Sequence, residues 1–130
     1  MEGYAMPTDL TVVLVNKPGS DAAAMQALGS AGINIDGITG SGCGGEGILH
    51  ILVSDGAAAR QALESAGQRV QAVTDVLVCP VEDRPGAGGA MMRRIADAGV
   101  NVDFIYLSVD GQLVIGANDI AKARVAALAT

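Results

Sequence analysis

The chain repeats itself. Laid without a gap over Arg84–Leu107, Lys17–Gly40 gives nine identities in 24 positions, including Pro18/Pro85, Gly19/Gly86, Gly32/Gly99, Asn34/Asn101 and Asp36/Asp103. A composition this rich in Ala and Gly gives roughly two by chance. The match resumes after a shift of three residues, Gly47–Leu63 over Gly111–Ala127, with Leu49/Leu113, Ile51/Ile115, Asp55/Asp119 and Arg60/Arg124 among the identical pairs. Two copies of a unit of roughly 65 residues are too few and too long for a solenoid, and they predict paired domains. The expected boundaries are residues 9–74 and 75–130.

Local patterns give each unit an element order. In the first, Thr11–Val15 is apolar and β-branched and predicts a buried strand. Pro18 and Gly19 break it, and Ser20 or Asp21 is expected to cap a helix whose apolar stripe is Ala24, Met25, Leu28 and Ala31. Gly32 stops that helix. Ile33–Thr39 alternates like a half-exposed strand, Gly40–Gly47 reads as a flexible loop, and Ile48–Val53 as a further strand. Asp55 caps a second helix ending at Gly67, and Val70–Thr74 is a fourth strand. The second unit repeats this. Val76–Val81 is its first strand, Met91, Met92 and Ile95 face inward from its first helix, and Val100–Val109 pairs with Gln112–Ala117 across an Asp110-Gly111 turn. Asp119 caps the last helix, and the fourth strand is missing. The fold class is therefore α+β: two βαββαβ units of the ferredoxin-like kind, antiparallel sheets with helices on one face. The bare sheet edge of the second unit calls for a cover, from the N-terminal segment or a second chain. Residues 1–7 fit no element, and Met6 is an equally good start.

Bulk chemistry excludes several functions. The formal net charge is −6, and the only basic cluster is Arg93-Arg94, so direct binding to nucleic acid is not expected. No apolar run reaches the ~18 residues of a membrane span and no leader pattern opens the chain, which points to a soluble cytoplasmic protein. The mean hydropathy is +0.39, yet the aromatics are only Tyr4, Phe104 and Tyr106. A core built from Val, Ile, Leu, Met and Ala gives little area per residue and favours association, a homodimer being the simplest case. Cys43 and Cys79 lack a CxxC spacing and are expected to be free thiols. The lone His50 lies in an apolar strand with no ligand cluster around it, which favours a structural or surface role over catalysis or metal ligation. Cys43 has no base near it in sequence, and the glycines around it are not followed by Gly-Lys-Ser/Thr, so neither a nucleophile nor a phosphate loop is implied.

The motif Asn16-Lys17-Pro18-Gly19, a helix, then Gly32-Ile33-Asn34-Ile35-Asp36 recurs as Asp83-Arg84-Pro85-Gly86, a helix, then Gly99-Val100-Asn101-Val102-Asp103. On these residues the chain from about Leu10 to Leu128 resembles a tandem ACT-domain protein. The resemblance implies the βαββαβ fold and regulatory binding of a small-molecule effector, typically an amino acid, without catalysis or cofactor. It also implies a partner enzyme of amino acid metabolism. Effectors of such domains typically sit where two such domains meet, between the first strand–helix loop and the start of the second strand. Carried onto this chain, the ligand-binding residues are Asn16, Lys17, Gly19, Ser20, Asn34 and Ile35 in unit one. In unit two they are Asp83, Arg84, Gly86, Ala87, Asn101 and Val102.

The chemistry of these residues suits the role. N–H groups of Gly19 and Ser20, or Gly86 and Ala87, at a helix start can receive a carboxylate, helped by the helix dipole. Asp83 can pair with an ammonium, Asn16 can accept from one, and Asn34 and Asn101 offer both donor and acceptor. The same residues also serve ordinary structure, since Pro-Gly before a helix is common turn chemistry and Asn or Asp often satisfies the backbone. Two function classes remain open at this level: an effector-binding regulator, and an oligomerisation or interaction module with no retained effector site.

Overall fold

The computed structural model describes residues 7–129; the expectations for the chain's first residues fall largely outside that range. The chain divides into two compact units between Thr74 and Asp75. Unit one comprises β1 (Thr8–Val15), α1 (Ser20–Ser30), β2 (Gly37–Cys43), β3 (Glu46–Val53), α2 (Gly56–Ser65) and β4 (Arg69–Asp75). Unit two comprises β5 (Leu77–Cys79), α3 (Ala87–Asp97), β6 (Val102–Leu107), β7 (Leu113–Ala117) and α4 (Ile120–Leu128). The sheets have strand orders β2-β3-β1-β4 and β5-β7-β6. The β1–β3, β2–β3, β5–β7 and β6–β7 pairs are antiparallel. This is the tandem α+β, ferredoxin-like arrangement, and among the described residues no strand follows α4 in unit two.

Alternation along β1 builds the first core. Leu10, Val12 and Leu14 point to the helices and pack with Leu28, Ile51 and Leu63. In unit two Leu77, Ile115, Met91 and Ile95 do the same, with Met92 partly buried beside them. Asp55 and Asp119 cap α2 and α4, their carboxylates accepting from the N–H groups of Ala58 and Lys122 at 3.1 and 2.9 Å. Gly32, Gly67 and Gly99 end α1, α2 and α3 with φ of 73°, 82° and 79°, and the N–H after each returns to the carbonyl of Leu28, Leu63 and Ile95.

Several local expectations are corrected. Ser20 and Asp21 do not cap α1: Gly19, left-handed at φ 90°, occupies the cap position, as Gly86 does at 87° for α3. Met25 is not on the buried stripe but 40% exposed. The segment Ile33–Asp36 is irregular, and β2 begins only at Gly37. The glycines assigned to a flexible loop lie within β2 and β3, leaving Gly44-Gly45 as the two-residue turn between Cys43 and Glu46. They are tolerated because neighbours occupy the missing side-chain space. A Cβ on Gly40 would lie 2.7 Å from Leu49, and one on Gly42 2.7 Å from Asn16. Pro80 has no N–H to give a ladder, and β5 stops at Cys79 instead of continuing to Val81. The β6–β7 loop is three residues, Val109–Gly111, with Gly111 left-handed and Ser108 N–H bonded to Gln112 O at 2.8 Å.

One polar cluster in unit one was not foreseen in full. Asp9 is completely buried, and its Oδ2 lies 2.9 Å from Nδ1 of His50 on the neighbouring strand. The Thr11 hydroxyl stands 3.5 Å from both. A buried carboxylate needs such partners. His50 therefore has the structural role its strand implied.

Candidate functional site

The β1–α1 loop opens onto a cavity of about 510 Å3. It is lined by Val13, Leu14 and Ala23 and by Lys17, Gly19 and Ser20 of the β1–α1 loop and the start of α1. Glu46 from β3, Gly67 and Gln68 from the connection after α2 and Arg69 from the start of β4 complete the lining. The cavity thus lies where the start of α1 and the end of α2 meet. In a βαββαβ unit the two helices run antiparallel, which brings the positive end of one dipole beside the negative end of the other.

The loop is shaped by its own backbone. Ser20 N–H donates to Lys17 O at 3.3 Å, and Ala23 N–H to Gly19 O at 2.9 Å. The same turn recurs at α3, where Ala87 N–H donates to Arg84 O at 3.3 Å. The Ser20 and Ala87 N–H groups are thus each engaged in the turn of their own loop. Among the described residues no backbone carbonyl accepts from Asp21 or Ala22 N–H, so these take over as the donors left at the start of α1.

The remaining residues of the motif do not gather in this cavity. Asn16 faces the opposite way, its Nδ2 donating to Gly44 O at 3.1 Å, and lines a second groove with Asp21, Met25 and Gly42. Asn34 donates to Asp36 Oδ1 at 2.7 Å, Ser54 donates to Asp36 Oδ2 at 3.2 Å, and Ile35 packs on the first core. An 11-residue helix is about 16 Å long, and Asn34 lies beyond the far end of α1 from Lys17. Within one unit the two halves of the motif are therefore separated. In unit two Asn101 repeats the bond, Nδ2 to Asp103 Oδ1 at 3.0 Å, and its N–H donates to Asn118 Oδ1 at 3.1 Å. Val102 packs on the second core and Ala87 is buried. Asp83 is exposed, and Gly86 serves as the helix cap. Arg84 Nε donates to Glu82 Oε2 at 2.8 Å, an exposed pair that holds the Glu82 carboxyl below the usual carboxylate range.

Glu46, Gly67, Gln68 and Arg69 are the cavity residues that the sequence reading missed. The only sequence signal for them is indirect: Gly67 ends α2, and antiparallel helices put that end beside the start of α1. The thiols take no part. Cys79 is buried, its Sγ 3.5 Å from Met91 Sδ, and burial pushes its thiol above the ordinary range; Cys43 is exposed on β2.

Comparison with known proteins agrees with this architecture. Protein BT0572 of Bacteroides thetaiotaomicron superposes with a TM-score of 0.82 at 25% identity, over 95% of this chain and 88% of that one. The ligand-free regulatory subunit of aspartate kinase from Thermus thermophilus gives 0.68 at 21% identity, over 94% and 88%. That from Thermus flavus gives 0.68 at 20%, over 95% and 91%. No curated protein matches the sequence. The model of the ACT domain pair matches residues 6–129, and the chain belongs to that family.

Proposed function

We propose that the protein is a regulatory effector-binding protein. It binds an amino acid in the unit-one cavity and acts, without catalysis of its own, on a separate enzyme of amino acid metabolism. The carrying observation is the cavity itself. It joins a helix start, which favours a carboxylate, to a helix end and Glu46, which favour an ammonium, over an apolar floor. A free amino acid has this arrangement of groups, and a volume of about 510 Å3 is within the range of small-molecule sites. Residues 9–74 and 75–130 act as separate domains in this reading, with binding centred on the first. Membership of the ACT domain pair family supports it, as does a fold shared with regulatory subunits of aspartate kinase.

Thermal unfolding against a panel of amino acids at millimolar concentration tests the reading. A ligand at 100 times its dissociation constant adds about 2.7 kcal/mol, a rise of several degrees for a chain of this size. A flat panel removes the effector-binding role.

A second reading rests on β6, an edge strand whose Ile105 and Leu107 are 42% and 57% exposed, next to Val109 at 77%. Such an edge favours pairing, so the protein forms a homodimer, and if no effector binds it serves as an association module alone. A second copy would also allow the separated halves of the motif to meet. Sedimentation across a concentration series distinguishes a stable dimer from a monomer. Among the described residues no helix is long and apolar enough to cross a membrane, in keeping with a cytoplasmic regulator.

A further inference from the structure

The charges around the cavity narrow the ligand class further than the presence of a cavity does. The chain has eight Lys and Arg against fourteen Asp and Glu, yet the cavity wall reverses that balance. Its ionisable side chains are Lys17, Arg69 and Glu46: two cations and one anion. Lys17 makes no ion pair among the described residues, while Arg60, Arg84 and Arg93 are each paired on their own helix or loop. Arg69 reaches Glu46 only at 3.7 Å, and both side chains are 69% exposed. Such a pair is worth little in water and is easily exchanged for a ligand. Nothing in the fold requires Lys17 or Arg69 to be basic, because neither contributes to the core.

We infer that the cavity takes an acidic α-amino acid, with two carboxylates and one ammonium set against Lys17, Arg69 and Glu46. This rests on the effector-binding reading above and names the charge class of that same site. One carboxylate meets Lys17 beside the start of α1. The ammonium meets Glu46 near the end of α2. The second carboxylate meets Arg69, whose guanidinium can take both oxygens at once. The ligand's short methylene stem lies against the apolar part of the lining, at Leu14 and Ala23. A neutral amino acid leaves Arg69 unanswered, and a basic one places like charge against it.

Titration calorimetry on the full chain tests this with L-aspartate, L-glutamate, L-asparagine, L-glutamine and succinate as probes. The expected result is binding of aspartate or glutamate about tenfold or more tighter than the matching amide, because a charge-assisted contact is lost in the amide. Succinate, which lacks the ammonium, should bind about tenfold more weakly than aspartate. Lys17→Met and Arg69→Gln should each weaken the acidic ligand by about the same factor. Arg69→Gln should also bring an acid and its amide close to equal. All three side chains are exposed, so these variants fold, and an unchanged melting temperature without ligand checks that. Tighter binding of a neutral amino acid overturns the acidic class while leaving the effector-binding reading in place. Equal binding of succinate and aspartate overturns the role of Glu46. Acidic binding that ignores both Lys17→Met and Arg69→Gln moves the site elsewhere and overturns the assignment. No binding of any amino acid, with a flat thermal panel, removes the underlying reading as well.

Discussion

The two units keep the same backbone devices and differ in what they place on them. Gly19 and Gly86 open α1 and α3 at nearly the same φ, 90° and 87°, and Asn34 and Asn101 donate to the Asp two residues on at 2.7 and 3.0 Å. Gly32, Gly67 and Gly99 end their helices in one way. By contrast, the polar trio Asp9, Thr11 and His50 corresponds to Val76, Val78 and Val114. The cross-strand pair Gly37–Leu52 in unit one becomes Phe104–Gly116 in unit two, so glycine and large residue have exchanged strands. The cavity of unit one depends on Gly67, Gln68 and Arg69, which lead into β4, and the described part of unit two ends with α4. The repeat therefore copies the residues that bend and cap the chain, while packing and binding features are specific to each half.

Four experiments break or sharpen this comparison. The largest effect is expected at the buried pair. His50→Val leaves Asp9 buried with one partner fewer and should cost about 3 kcal/mol in urea unfolding. Adding Asp9→Val copies the apolar pair of unit two and should recover most of that loss, since replacing both partners of a buried polar pair by apolar groups is often close to neutral. If the double variant is no more stable than the single, the two units do not tolerate the same solution at this position.

Next comes the exchanged pair. A Cβ on Gly116 would lie 2.3 Å from the Phe104 ring. Gly116→Leu should therefore destabilise by about 1–3 kcal/mol through overpacking. Combining it with Phe104→Gly rebuilds the arrangement of unit one and should be better tolerated than Gly116→Leu alone; equal loss in both would show that the exchange is not reciprocal. Smaller and symmetric, Asp55→Ala and Asp119→Ala should each cost about 1 kcal/mol by removing a helix cap. A clear inequality in thermal melts would mean that the matching caps support units of unequal stability. The smallest test is chemical. Titration of native protein with a thiol reagent should consume Cys43 quickly, while Cys79, buried and with its thiol pushed up, should react only on unfolding. Rapid reaction of both would mean that unit two opens readily.

The fold was legible because its signals are local and doubled. Pro-Gly before a helix, Gly after it, and Asp at the next helix start each act through the backbone next to them, and the repeat states each twice. The errors arose where the deciding contact is non-local. Gly40 and Gly42 read as loop residues because nothing nearby shows Leu49 and Asn16 occupying the space above them. Ile33–Asp36 alternated like a strand, but Asn34 and Asp36 bond to each other and to Ser54, and this local bonding competes with a ladder. The site was half legible. Lys17, Gly19 and Ser20 line the cavity, whereas Glu46 and Arg69 come from elements far along the chain and carry no motif. Asn16 leaves β1 beside this loop yet turns toward the hairpin, because its direction depends on Gly44 28 residues away.

The exchange of Gly37–Leu52 for Phe104–Gly116 bears on how kinship between such proteins is measured. Compared column by column, the two halves show two radical mismatches there, a glycine against an aromatic ring and a leucine against nothing. Taken as a pair, they carry the same message: one large residue in register with a glycine. A substitution table that treats positions independently discards that message. Chains can then keep a similar fold while only about a quarter of their letters agree, as this protein and the Bacteroides protein do. In sheets built from small residues, shared ancestry is better preserved in paired volumes than in single letters.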